Sequence, residues 1–248
     1  MKPLGLPPFS PSVSLKNHQF YASMLDDAAL VALVGLLGEM SPGDRLPSER
    51  ELTQQLNISR NTLRDRIGKL ESMGILTRKE RLGTFYSGMQ AEQAGSGLVL
   101  GLMLEQITVE SLISMRHALE RQAAIEACAN ATEAHLAELR KSNEAMNRTE
   151  DGRELLAADM MFHQALFAAS DSPALLFFSQ MLSAVLHGTL RHLTLEQDFE
   201  TMRTVHGAVL AAVEARDEGG ATRAIDAHFA WLHELRERER LAASDTST

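Results

Sequence analysis

The chain has one cysteine in 248 residues, Cys128, which leaves no internal disulfide and no thiolate pair for a cysteine-based zinc site or a redox couple. A reducing compartment, the cytoplasm, fits that usage. Long apolar runs are missing too. The most apolar stretch, Ala28 to Leu37, falls well short of the roughly 20 residues that span a bilayer, so no membrane helix is expected. Residues 1–20 hold Pro3, Pro7, Pro8 and Pro11 among polar neighbours, lack the continuous apolar segment of a signal peptide, and read as a flexible arm. Beyond residue 97 there is no strand-like alternation, internal repeat or low-complexity tract. With 44% hydrophobic content, the chain can bury a substantial core in one domain or two.

What is present is unevenly spread. The net charge is −9, yet residues 41–90 carry nine Lys/Arg against six Asp/Glu, a local +3, while residues 91–248 carry 13 against 24, a local −11. One basic segment in an acidic chain suits a local polyanion contact, because phosphate binding follows the local field. On charge alone, a solvated face would look the same.

The basic segment has a readable architecture. Ser48 with Glu51 three residues later has the spacing of a capping box at a helix start, and Leu52 and Leu56 supply the apolar face. Asn57-Ile58-Ser59 makes a turn, with Ser59 as N-cap of a second helix on which Leu63, Ile67 and Leu70 recur. Gly74 ends that helix. Ile75-Leu76-Thr77 and Gly83-Thr84-Phe85-Tyr86 read as two short strands, with Arg78 to Arg81 between them. The second helix exposes Arg60, Asn61 and Arg64 near its N-terminus, where they reach base edges if the helix lies in a major groove. A small amphipathic helix pair with solvated arginines is the competing reading.

Ser87 to Gly97 is rich in Gly, Ser, Ala and Gln and reads as a linker. Beyond it the periodicity predicts helices over about 109–129, 133–147, 153–169, 174–193, 199–215 and 221–240, an antiparallel all-α bundle. In "DMMFHQALF", Asp159 and His163 stand four residues apart on the apolar side of the third of these helices. His206 and His228 flank the turn near Asp217 to Gly220 at comparable depths on an antiparallel pair. One Asp and three His suit Zn²⁺ or another divalent transition metal. Hydrogen-bonded core histidines would have the same spacing, so spacing leaves both readings open.

The run "PGDRLPSERELTQQLNISRNTLRDRIGKLESMGIL" resembles the winged helix-turn-helix signature of the GntR family of bacterial transcription regulators. The resemblance implies that Arg45, Arg50, Ser59, Arg60, Thr62 and Arg64 lie at the DNA surface, with Gly83 at the wing tip. Two departures stand out. The wing keeps only the second glycine of the usual Gly-x-Gly-Thr, as Arg81-Leu82-Gly83-Thr84, and Arg66 replaces a small residue in the recognition helix, where it is expected to alter operator preference or phosphate contact. Residues 107 to about 240 resemble the FCD ligand-binding domain of the FadR-type branch, through "SMRHALERQAAIEA", "DMMFHQALFAASDSPAL" and "HGAVLAAVEARDEGGATRAIDAHF". In metal-containing members the ligands match Asp159, His163, His206 and His228 here. Arg116 falls where members carry an Arg that meets an effector carboxylate, with Glu120 as the competing partner one helical turn on.

The expectation is therefore a mainly α protein. It comprises an arm (1–20), a winged helix-turn-helix domain (21–88), a linker region (89–106) and a helical metal- and effector-binding domain (107–243). The expected function is that of a cytoplasmic homodimeric repressor, released from a near-palindromic double-stranded DNA operator by a small carboxylate held at a zinc-type site. The alternative is a metal-dependent hydrolase with an accessory nucleic-acid-binding domain. No carboxylate is obviously spaced to serve it as a general base, and no enzymatic activity is expected.

Overall fold

A computed structural model describes residues 26–189 and 199–245; the arm over 1–20 and the last residues of the helix expected over 174–193 lie outside these. The chain divides into two compact units, Met1–Ala94 and Gly95–Thr248.

The first unit is a winged helix-turn-helix. Helix α1 (Ala28–Gly38) starts at Asp27, whose carboxylate accepts from the Leu30 amide. Helix α2 (Glu49–Leu56) opens with a complete capping box: the Ser48 hydroxyl accepts from the Glu51 amide, and the Glu51 carboxylate accepts from the Ser48 amide. Asn57 turns the chain in the left-handed conformation at φ +51°, a region asparagine tolerates better than most residues. Ser59 then caps α3 (Arg60–Ser72). Gly74, at φ +73°, stops that helix and sits against the Gln93 side chain, so it needs glycine on both counts.

Strand β1 covers Leu76–Lys79 rather than 75–77, and pairs antiparallel with β2 (Gly83–Tyr86) in the register Leu76↔Tyr86 and Lys79↔Gly83. Arg78 and Lys79, read from the sequence as loop, are thus strand residues, because the ladder continues until the chain must turn at Glu80–Leu82. Leu30, Leu33, Leu52, Leu63, Ile67, Leu70 and Leu76 form the core on which these elements close.

Residues 91–103, inside the stretch read as linker, carry short helices, α4 (Ala91–Ala94) and α5 (Ser96–Met103). Composition misled here. The small and glycine residues that mark flexible segments also permit close packing, and a Cβ on Gly101 would meet Ile107 at 2.6 Å.

The second unit is all-helical over its described residues. It continues with α6 (Val109–Asn130), α7 (Glu133–Arg148), α8 (Gly152–Ala169), α9 (Pro173–Thr189), α10 (Phe199–Glu214) and α11 (Glu218–Asp245). Thr108, Thr132 and Asp151 cap the starts of α6, α7 and α8. Joints of two or three residues link α6 through α9, and α8 packs against both α7 and α9. Helix α6 packs against α8, α9, α10 and α11 and so lies at the centre. Its stripe Ile113, Glu120, Ala123, Ala124 and Ala127 is buried and mostly small, which lets four helices approach it.

Removing the Ser48 hydroxyl leaves the Glu51 amide without its cap, so Ser48→Ala is expected to destabilise the first unit by about 1 kcal/mol. Chemical denaturation of the full chain, followed by a probe in that unit, reads the change.

Candidate functional site

Asp159 and His163 on α8, His206 on α10 and His228 on α11 each offer one ligand atom, and these four atoms lie within 4.8 Å of one another. The three histidines are at most 5% exposed. Helical geometry explains the convergence. The i, i+4 pair stacks on one face of α8, and α10 and α11 run back to back across the Asp217 turn, presenting one imidazole each.

The protonation pattern of the cluster follows from its partners. His206 Nδ1 is 2.7 Å from the Met202 carbonyl, which can only accept, so Nδ1 carries a proton and the neutral ring turns a lone pair outward from Nε2. That Nε2 lies 3.0 Å from Asp159 Oδ1 and 3.3 Å from His163 Nε2, and His163 Nε2 is itself 3.3 Å from the same Oδ1. With His206 in that form its Nε2 lone pair faces the Asp159 oxygen, so a positive charge is needed between them. Only a cation, whether a proton or a metal, relieves that arrangement. His228 Nδ1 is buried with no hydrogen-bond partner, as are His163 Nδ1 and Glu120 Oε2, which also fits a site completed from outside the protein.

The same groups shape each other's ionisation. Burial works against charge on Asp159, but the facing His163 and His206 hold its carboxyl well below the usual carboxylate range. Burial also pulls His163 down, yet the Glu120 and Asp159 carboxylates prevail against it and against Arg116, and raise the imidazole above its ordinary value. For His228 burial dominates, and the neighbouring His206 and His163 add to it, so this ring is held well below its ordinary value. One ring is poised to hold a positive charge and another to remain neutral.

Arg116 joins the cluster indirectly. Its Nε meets Glu120 Oε1 at 2.5 Å, so the pairing within α6 is the one the structure contains. Glu120 is completely buried, and its other oxygen lies 2.8 Å from His163 Nδ1. Against the cost of burial, Arg116 and His163 lower the Glu120 carboxyl to about 2. Sequence reading had Glu120 only as a partner for Arg116. The available signal was a carboxylate on the small-residue stripe of α6, at a position that helical periodicity assigns to the interior.

In the first unit Arg45, Arg50, Ser59, Arg60, Asn61 and Arg64 are exposed, and Thr62 and Gly83 are half-buried. Several already have protein partners. The Ser59 hydroxyl accepts from the Thr62 amide at 3.1 Å, which fixes the start of α3. Arg64 Nε pairs with Glu49 at 2.9 Å, with the Arg64 side chain 63% exposed, so the guanidinium is held at the surface and can exchange that carboxylate for a phosphate or base. Arg66, expected at phosphate or operator, instead pairs through Nε with Asp27 at 2.5 Å, the residue that caps α1. Its position on α3 turns it towards α1.

The wing departs from expectation in an instructive way. Arg81 takes the left-handed φ of +62° that glycine adopts freely, at a cost of about 1–2 kcal/mol, so the turn is kept without the usual glycine. Gly83, at φ +107°, lies under the Arg45 guanidinium: a Cβ there would stand 3.0 Å from Nε. Arg45, Ser48, Arg78, Lys79, Arg81 and Gly83 line part of an open cleft of about 400 Å³ between the α2 start and the wing. Glu49 and Glu80 line it too, so four cations outnumber two carboxylates there, a balance that suits phosphate oxygens.

The direction of the His228 shift fixes a pH dependence. With its pKa lower in the folded than in the unfolded chain, His228 contributes stability that is present above about pH 6.5 and lost as pH falls below it. Urea titrations of metal-free protein between pH 7 and pH 5 are expected to show a shallower acid loss for His228→Gln than for wild type. Equal slopes would contradict the assignment.

Comparison with known proteins bears on both units. Residues 36–85 match the family of bacterial regulatory proteins named gntR, and residues 111–230 match the FCD domain. The chain is 31% identical over 208 residues to the putative L-lactate dehydrogenase operon regulatory protein of Escherichia coli K12, covering 80% of each chain. It is 28% identical over 199 residues to the HTH-type transcriptional regulator LutR of Bacillus subtilis 168, covering 77% of this chain and 91% of that one. The solved GntR structure from Streptococcus agalactiae superposes with a TM-score of 0.67 at 21% identity, over 86% of this chain and 99% of that one, a likeness of fold. These are transcription regulators, which points away from the hydrolase alternative. No helix among the described residues is long and apolar enough to cross a membrane. With a winged helix-turn-helix in front and an FCD bundle behind, the chain belongs to the GntR family of DNA-binding bacterial transcription regulators.

Proposed function

We propose that this regulator is a metabolite-responsive repressor of the cytoplasm: a homodimer that holds a near-palindromic operator and releases it when a small carboxylate binds beside a metal, Zn²⁺ in the first instance. The observation that carries the reading is the inward-facing set Asp159, His163, His206 and His228, whose four ligand atoms converge within 4.8 Å in a buried place. A divalent metal held by those four would offer a Lewis-acidic position to an anionic ligand. Formal charge supports the choice of ligand. Two carboxylates, Asp159 and Glu120, together with Arg116 and a dication leave one positive charge in a buried place. Such a place favours a monoanion.

On this reading residues 107–243 sense the ligand and residues 21–88 read the operator. Arg60, Asn61 and Arg64 face the groove, Ser59 and Thr62 fix the start of the reading helix, and Arg45, Arg50 and the wing around Gly83 meet the backbone. Arg116 stays a candidate for the effector carboxylate in addition to its Glu120 pairing. The E. coli relative is named for an L-lactate dehydrogenase operon, which makes 2-hydroxy acids the first class to test. The ligand must bind one arrangement of the dimer better than the other if it is to release DNA.

Two outcomes test the reading. Zn²⁺-loaded protein is screened by thermal shift against L-lactate, other hydroxy acids, sugar acids and amino acids. A ligand at about 100 times its dissociation constant is expected to add roughly 2.7 kcal/mol and several degrees, an effect that chelation abolishes. Silence across the carboxylates would sink the proposed effector class. Separately, Arg60→Ala and Arg64→Ala are each expected to weaken operator binding by about 1–3 kcal/mol with unchanged unfolding midpoints. Unaltered binding would displace α3 from the groove.

A further inference from the structure

The charged groups around the metal cluster form a chain. Arg116 Nε holds Glu120 Oε1 at 2.5 Å, Glu120 Oε2 stands 2.8 Å from His163 Nδ1, and His163 Nε2 faces Asp159 and His206 at 3.3 Å. Glu120 is thus on the far side of the His163 ring from the other ligand atoms. It is completely buried on α6, while His163 belongs to α8, so the contact joins two helices.

Burying a carboxylate is expensive unless the charge is matched. One match, Arg116, is already present, and it uses one oxygen. The second oxygen stands 2.8 Å from a ring nitrogen, off the direction of a well-aligned hydrogen bond, and a carboxylate so close favours the ring form that carries a proton there. A proton on Nδ1 leaves Nε2 of the neutral ring with the lone pair a metal requires. His206 achieves the same end with the Met202 carbonyl. Each ring thus has an acceptor beside Nδ1, a hydrogen-bonded backbone carbonyl for His206 and a close carboxylate for His163.

We infer that Glu120 is a positioning residue for the metal cluster: it selects the Nδ1–H form of His163 and fixes its ring, while Arg116 holds Glu120 in place. The assignment rests on the metal-binding reading above. Glu120 does not itself supply a ligand atom, because His163 stands between it and the centre.

The test is Zn²⁺ affinity of the full-length chain, measured by competition with a chromogenic chelator. Glu120→Leu removes both acceptor oxygens at similar volume, and is expected to weaken Zn²⁺ binding by about 10–100-fold. Since that change strands the Arg116 charge, Arg116→Met/Glu120→Leu is measured alongside it, and the same loss is expected. The imidazole ¹⁵N resonances of metal-free protein, recorded at a pH where His163 is neutral, give a readout that simple packing would not move: His163 is expected as the Nδ1–H form in wild type and to shift towards Nε2–H in both variants. Unchanged affinity in a folded variant, or an unchanged tautomer, overturns the assignment of Glu120 alone. A wild-type chain that takes up no Zn²⁺ overturns it together with the metal reading.

Discussion

Lone pairs pointing at one another inside a helical bundle are the constraint around which the second unit is organised. Asp159 and two imidazole nitrogens meet within 3.3 Å, and His206 Nε2 turns a lone pair towards the carboxylate. Such a centre is not a product of hydrophobic packing, which would have filled the space with Leu or Phe at lower cost. Phe162 and Phe229 do pack edge-on against the histidines and keep the surroundings apolar. A low-dielectric wall around unsatisfied acceptors magnifies the demand for a positive charge. The bundle stabilises the rings and leaves the charge to be supplied.

That constraint also accounts for the position of α6. The helix contributes no ligand atom, yet it is the one packed against α8, α9, α10 and α11. Its small residues admit the others closely, and two of its charged residues, Arg116 and Glu120, lie beside the ligand His163. Sites of this kind depend on the partners of the ligands as much as on the ligands themselves.

Much of this was legible in the sequence because the signals are local. Ser48 with Glu51, Ser59, and the apolar spacings on α3 and across the bundle depend only on residues a few positions apart, and the structure places helices where those spacings lie. Helical spacing put Asp159 beside His163 and set His206 and His228 at comparable depth, while the resemblance to the FCD domain was what joined the four into one set. What could not be read depends on partners distant in sequence. Arg66 finds Asp27 39 positions earlier, and Glu120 finds His163 43 positions later. The helices at 91–103 were missed for a different reason: Gly, Ser and Ala are as suited to tight packing as to flexibility. In the wing, Arg81 adopts a conformation its type disfavours because the hairpin on either side dictates it.

The ion pair between Arg66 and Asp27 has a mechanical meaning. It ties the middle of α3 to the residue that caps α1, while Leu63, Ile67 and Leu70 fasten its inner face to the core. On the proposed reading, in which α3 enters the groove, a helix fastened on two sides adjusts less than the DNA does. The DNA steps differ in stiffness, and the energy of bending them would enter the affinity at base pairs the protein never touches.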